Sequence, residues 1–266
     1  MNTMPVEPVF PTPLHHDMAN LVGDYFSKLN EVDTVLVVNS CARGQAVPES
    51  DLDMAILMKS QTSALEINNL EKDWLQFVSG QDLLLKFKQS SPYAQVHLDL
   101  IEGQYTPGLI ANGEPLDYFE VEIGNQVCYA APMGEIGDHF IALKKQWLPY
   151  YPDELRQTRL TAIHQACEYD LDHIPFFVRR GLYFHALDVL HQAFQKYLQA
   201  LFIQRKTYPI AYNKWIKEQI VGLLNLPDLY HQLPPLLSIS DIESTEINDK
   251  AMALKGLLHT SGGRLK

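Results

Sequence analysis

The chain has 266 residues, 46% of them hydrophobic and 20% charged, which suits a globular protein with room for one large domain or two smaller ones. Its formal net charge of −11 argues against DNA or RNA as the main partner, because such binders carry a basic face. Cys41, Cys128 and Cys167 are odd in number and lack metal-ligand spacing, the N-terminus has no signal-peptide pattern, and no apolar run approaches the roughly 20 residues of a membrane span. A cytoplasmic protein with reduced thiols and no membrane contact is expected.

Residues 1–13 are rich in proline and read as an extended arm. Leu14, Met18, Leu21, Val22, Tyr25, Phe26 and Leu29 then recur at helical spacing, predicting an amphipathic helix that packs on a sheet. Thr34 to Val38 is an apolar strand that breaks at the polar turn Asn39-Ser40. Arg43-Gly44 comes next, and a linker with Pro48 leads to a second apolar strand carrying Asp51-Leu52-Asp53. A helix is expected over Leu65 to Val78, a strand over Asp82 to Lys88, and another strand over Ala94 to Ile101. Leu116–Ile123 and Gln126–Ala130, joined at Gly124-Asn125, read as a hairpin at the sheet edge. From about Gly134 helical periodicity takes over, most regularly from Gly181 to Arg205, with prolines punctuating the segment into helices.

The chemistry concentrates in residues 34–58. Side chains alternate across a strand, so Asp51 and Asp53 share one face while Leu52, Met54 and Ile56 share the other. Two carboxylates side by side repel unless a cation lies between them. Mg²⁺ removes that cost, taking one or two carboxylates together with substrate phosphates. A strand followed by a tight polar turn presents backbone N–H groups to anions. Ser40 adds a hydroxyl and Arg43 a charge suited to phosphate oxygens. Asp99 stands in the later strand, on one face with Gln95 and His97. His97 could orient Asp99 or touch a substrate, although a half-buried structural histidine is the simpler reading.

The run resembles the signature of the DNA polymerase β-like nucleotidyltransferase superfamily, usually Gly-Ser, a spacer and Asp-x-Asp. Here it is Asn39-Ser40, ten residues, then Asp51-Leu52-Asp53. Asn39 stands where the family usually has Gly, and Asn is the next most tolerant residue for a left-handed backbone. The resemblance implies an α+β fold: a nucleotidyltransferase domain over residues 1–132, a mixed twisted sheet flanked by helices, and an all-α bundle over 133–266. The chain also resembles the aminoglycoside- and lincosamide-type enzymes, in which the bundle shapes the acceptor site, and the run Tyr208 to Trp215 looks like a segment of some relatives.

For function, the resemblance implies Mg²⁺-dependent transfer, with two ions, of AMP from ATP to a hydroxyl of a small, aminoglycoside-like acceptor. Asp51, Asp53 and Asp99 would be the metal ligands and catalytic carboxylates, with Glu102 as the alternative base. Asn39, Ser40, Arg43 and Lys214 would hold the nucleotide, and a homodimer is compatible with the resemblance. A protein or tRNA acceptor, or a non-catalytic nucleotide-binding protein, are the alternative functions. The spacing Arg180 to His185 resembles a ribonuclease motif, but it arises easily in a helix and the acidic charge disfavours RNA.

Overall fold

Four strands form one sheet in the order β3-β2-β1-β4 in the computed structural model, which describes residues 7–261. They are β1 (Val32–Val37), β2 (Leu52–Met58), β3 (Val96–Ile101) and β4 (Ala131–Met133). β1 pairs antiparallel with β2 and β4, and β2 pairs parallel with β3, so the sheet is mixed. The two central strands are buried almost throughout, as their continuous apolar runs require. β4 contains Pro132, which cannot donate to a ladder and is tolerated at this edge.

The helices α1 (Pro13–Phe26), α2 (Asn39–Ala42), α3 (Ala64–Ser79) and α4 (Asp82–Ser90) precede β3. α5 (Phe119–Ile123) and α6 (Asp138–Trp147) flank β4, and α7 (Asp153–Arg179), α8 (Tyr183–Gln204), α9 (Pro227–Leu237) and α10 (Glu246–Ser261) complete the described chain. The architecture is α+β. α1 starts where Thr12 caps it and Pro13 occupies the first turn, and it buries Met18, Ala19, Val22 and Phe26. α3 begins with a capping box between Ser63 and Glu66.

The described residues divide into two compact units. One holds the sheet and comprises the chain up to Tyr105 together with Glu122–Pro149. Its core joins Val22, Phe26, Val35 and Val37 to Met54, Ile56, Trp74 and Phe87. The other comprises Thr106–Val121 and the chain from Tyr150 onward, built around the α7–α8 pair. Ile163, Leu171, Leu190, Tyr197, Leu201 and Leu254 are among its core residues.

Three expectations are corrected. Asp82 to Lys88 is the helix α4, not a strand: Leu83, Leu84 and Phe87 turn inward at helical spacing while Leu85 is exposed. The expected hairpin is instead α5 followed by a π-helical turn, Gly124–Cys128. Phe119, Glu120, Ile123 and Val127 are buried at helical intervals, which a hairpin could not achieve. The compact units are also not cut at residue 132. Residues 131–149 belong with the sheet, because β4 pairs with β1 and Asp33 caps α6, accepting from the N–H groups of His139 and Phe140 at 3.0 Å each. Of the arm at 1–13, residues 1–6 lie outside the described chain; residues 7–12 are neither helix nor strand, and Val9 N donates to Cys41 O at 2.9 Å.

Segment 106–121 belongs to the helical unit through a buried ionic network. The Arg159 guanidinium, 3% exposed, donates to Glu120 at 2.7 and 2.9 Å and to Asp117 at 2.7 and 3.0 Å. Gln199, Tyr151 and Tyr212 donate to Glu120 as well, at 3.0, 2.8 and 3.4 Å. Burial works against the charged guanidinium, but the hydrogen bonds and charges of Glu120 and Asp117 more than offset it and hold Arg159 above its ordinary pKa.

Candidate active site

The hinge of the site is the turn after β1. In the β1–β2 register Val37 lies opposite Met54, and Val38 N donates to Asp53 O at 3.1 Å. The next residue, Asn39, has φ +55° and reverses the chain into α2. This is the left-handed region that glycine enters freely and asparagine tolerates. Asn39 therefore does the backbone work that the resemblance assigns to Gly. α2 receives no side-chain hydrogen bond at its N-cap, Val38. Ser40 is buried at this turn, and its carbonyl accepts from Gln45 N at 2.9 Å and Arg43 N at 3.3 Å.

Opposite this turn, β2 begins. Asp51 is the last residue before the strand, and Asp53 is its second residue. Parallel pairing sets Asp53 against His97 of β3, so alternation brings Asp51, Asp53 and His97 to one face. Each offers one ligand atom, and these atoms lie within 4.8 Å of one another, making this the cation-competent group of three among the described residues. His97 Nε2 is 3.4 Å from Asp51 Oδ2, with their side chains 52% and 41% exposed. Asp99 is placed differently. It pairs with Ala55, one side-chain step further along the same face, roughly 6.5 Å from His97 by strand rise. It is exposed and is not a member of the 4.8 Å group.

The negative field of the pair reaches the turn. Burial, then the Asp53 and Asp51 charges, push the Cys41 thiol up to about 12, against a lowering hydrogen bond from Ser40. Cys41 thus stays a neutral packing group. Arg43 is buried at the end of α2. Lys214 belongs to the helical unit, where it is exposed and its carbonyl accepts from Gln219 Nε2 at 3.0 Å. The structure therefore brings together Asn39, Ser40, Asp51 and Asp53, and adds His97. The signal for His97 was in the sequence, as the alternation that set it on the face of Asp99.

Other features fall outside this group. A groove of about 1290 Å³, lined by Lys28, Asp33, Lys59 and His139, lies at the opposite ends of β1 and β2 and contains none of these residues. Arg180 and His185 rest on aromatic rings, the guanidinium 5.2 Å from the centre of Phe176 and the imidazole 4.4 Å from that of Phe177. Among the described residues no helix is long and apolar enough to cross a membrane.

No family model matches the chain, and no curated protein matches it. Among solved structures, the chain is similar to the nucleotidyltransferase-like protein from Exiguobacterium sibiricum 255-15. The likeness covers 94% of this chain and 77% of that one, at 16% identity and a TM-score of 0.43.

Proposed function

We propose that the chain is a divalent-cation-dependent nucleotidyltransferase. The observation that carries this reading is the convergence of Asp51, Asp53 and His97 within 4.8 Å, beside a turn whose left-handed Asn39 starts α2. Two carboxylates and an imidazole are a donor set that fits a divalent cation. Asp51 and Asp53 would hold the ion with His97 at its side; the resemblance implies Mg²⁺. Such a cation, when bound, offsets phosphate charge and polarises the phosphoryl oxygens.

The chain's own groups do the rest. The Asn39-Ser40 turn, its start fastened to β2 through Val38 N, offers backbone and hydroxyl donors to phosphate oxygens. Fixing the phosphates there keeps the leaving pyrophosphate in line with the attacking oxygen. Asp99, exposed and one step beyond the cation group, is suited to accept the proton of an acceptor hydroxyl. The products are then a nucleotidylated acceptor and pyrophosphate, with the hydroxyl proton on Asp99. We assign ATP as the donor and a small hydroxylated, amine-bearing molecule as the acceptor; the acidic balance of the chain supports the latter.

The test is incubation with Mg²⁺ or Mn²⁺, labelled nucleoside triphosphates and a panel of aminoglycosides and other hydroxylated small molecules. Pyrophosphate release that depends on both cation and acceptor is expected. Absence of release with every acceptor, together with absence of cation–nucleotide binding, refutes the enzyme reading.

A further inference from the structure

Asp51 is the one member of the cation group that lies outside a strand, so the sheet ladder alone does not set its direction. The linker before it is a turn, Val47-Pro48-Glu49-Ser50, closed by Ser50 N donating to Val47 O at 2.9 Å and Val47 N donating to Ser50 Oγ at 3.0 Å. A side chain leaves its Cα in a direction set by φ and ψ, and these are fixed when the peptide planes on both sides are fixed. The plane after Asp51 is held because Leu52 N donates to Gln95 O at 2.8 Å. The plane before it carries the Ser50 carbonyl, which lies 2.9 Å from His15 Nε2.

His15 is built into that contact. It is 1% exposed on α1, and its ring meets Phe87 of α4 edge-on, with centroids 4.9 Å apart. A carbonyl only accepts, so Nε2 carries the proton. Nδ1 then offers its lone pair to the Thr12 hydroxyl, 2.8 Å away. Thr12 Oγ1 in turn accepts from the His15 N–H at 3.3 Å as the N-cap of α1. One chain of hydrogen bonds thus runs from the start of α1 through a buried imidazole to the peptide before Asp51. An apolar ring of similar size would fill the same space against Phe87 but would release the carbonyl.

We propose that His15 is a positioning residue for the cation group: through the Ser50–Asp51 peptide it holds Asp51 where its carboxylate meets Asp53 and His97. The proposal rests on the reading of those three residues as a cation site. Groups that orient a ligand from behind typically govern 10- to 100-fold in metal affinity.

The test is Mn²⁺ binding to the full chain, followed by the electron paramagnetic resonance signal of the free ion. His15→Phe is expected to weaken binding about 10-fold, and His15→Gln, which restores an N–H donor, to recover most of that loss. A purely structural role would lower the unfolding midpoint of His15→Phe without moving the Mn²⁺ affinity of the folded fraction. Long-range ¹H–¹⁵N spectra of the unaltered chain supply a readout that needs no variant, and the Nε2-protonated tautomer is expected. Equal Mn²⁺ affinity in His15→Phe, or an Nδ1-protonated imidazole, overturns the proposal. Should His15→Phe not fold, Thr12→Val and the tautomer decide in its place, with weaker binding expected in Thr12→Val and unchanged binding refuting the idea. Failure of the unaltered chain to bind Mn²⁺ at all is a different result, which overturns the cation site itself.

Discussion

Among the described residues, two clusters of acidic side chains share chemistry and differ in design. In the helical unit Asp117 and Glu120 are 13% and 0% exposed, and the Arg159 fork bridges them. Tyr151, Tyr212 and Gln199 fill further acceptor positions. At the sheet, Asp51 and Asp53 stand half-exposed beside an imidazole that is itself half-exposed, at the lip of a turn. A cluster closed by its own guanidinium has no need of an external cation, and its burial makes each partner costly to remove. A cluster left open to solvent can exchange what it holds. The difference separates a structural clasp from a candidate site.

The largest expected effect tests the open cluster. Asp51→Asn or Asp53→Asn should cut nucleotidyl transfer on the order of 10³-fold or more, about 4 kcal/mol in barrier, while leaving unfolding stability within roughly 0.5 kcal/mol. Pyrophosphate release and urea denaturation, measured on the same preparations, check both halves. A stability loss as large as that of a buried ion pair would make these carboxylates structural and erase the contrast.

Arg159→Met tests the closed cluster. It strands Glu120 and Asp117 without their cation, and a loss of about 3–5 kcal/mol in unfolding free energy is expected. Denaturant titration followed by circular dichroism is the measurement. A variant of near-native stability would show that the clasp contributes little.

The third effect divides the sheet face itself. Asp99→Asn should slow transfer about 10²-fold while leaving Mn²⁺ affinity unchanged, since Asp99 is not a member of the cation group and is assigned the proton. A loss of Mn²⁺ affinity matching that of Asp53→Asn would instead place Asp99 among the ligands.

How legible these clusters were in sequence depends on range. β1, β2 and their carboxylates were readable because an apolar run and an alternating Asp-x-Asp are local signals, and α8 because its apolar stripe is long and regular. Asn39 was readable as a residue tolerant of positive φ, and its φ of +55° fits that reading. α4 was missed because Leu83, Leu85 and Phe87 alternate with Leu84, Lys86 and Lys88 as a strand would, and only packing shows Leu85 outside. The clasp was invisible: Asp117 and Glu120 meet Arg159 and Gln199 across 39 to 82 residues, and no local pattern announces that. His15 was missed for the same reason, since its partner Ser50 lies 35 residues away.

The smallest effect is a pH dependence within the helical unit, and it asks whether a titratable group can be buried there without an ionic clasp. His164 of α7 is half-buried, and burial, the largest influence, lowers its pKa. The Glu168 charge pulls the other way and His259 adds to the lowering, while His259 Nε2 itself sits 3.2 Å from Glu168 Oε1. A histidine whose folded pKa lies below its unfolded value binds fewer protons when folded across the window just under 6.5. Its contribution to stability is therefore fully present above that pH and is lost as pH falls through the folded pKa. Urea midpoints should drop between pH 7.5 and 5, and His164→Gln, which does not titrate, should show a shallower drop. An identical pH slope in the variant would mean that His164 opens to solvent when protonated, at no cost to the bundle.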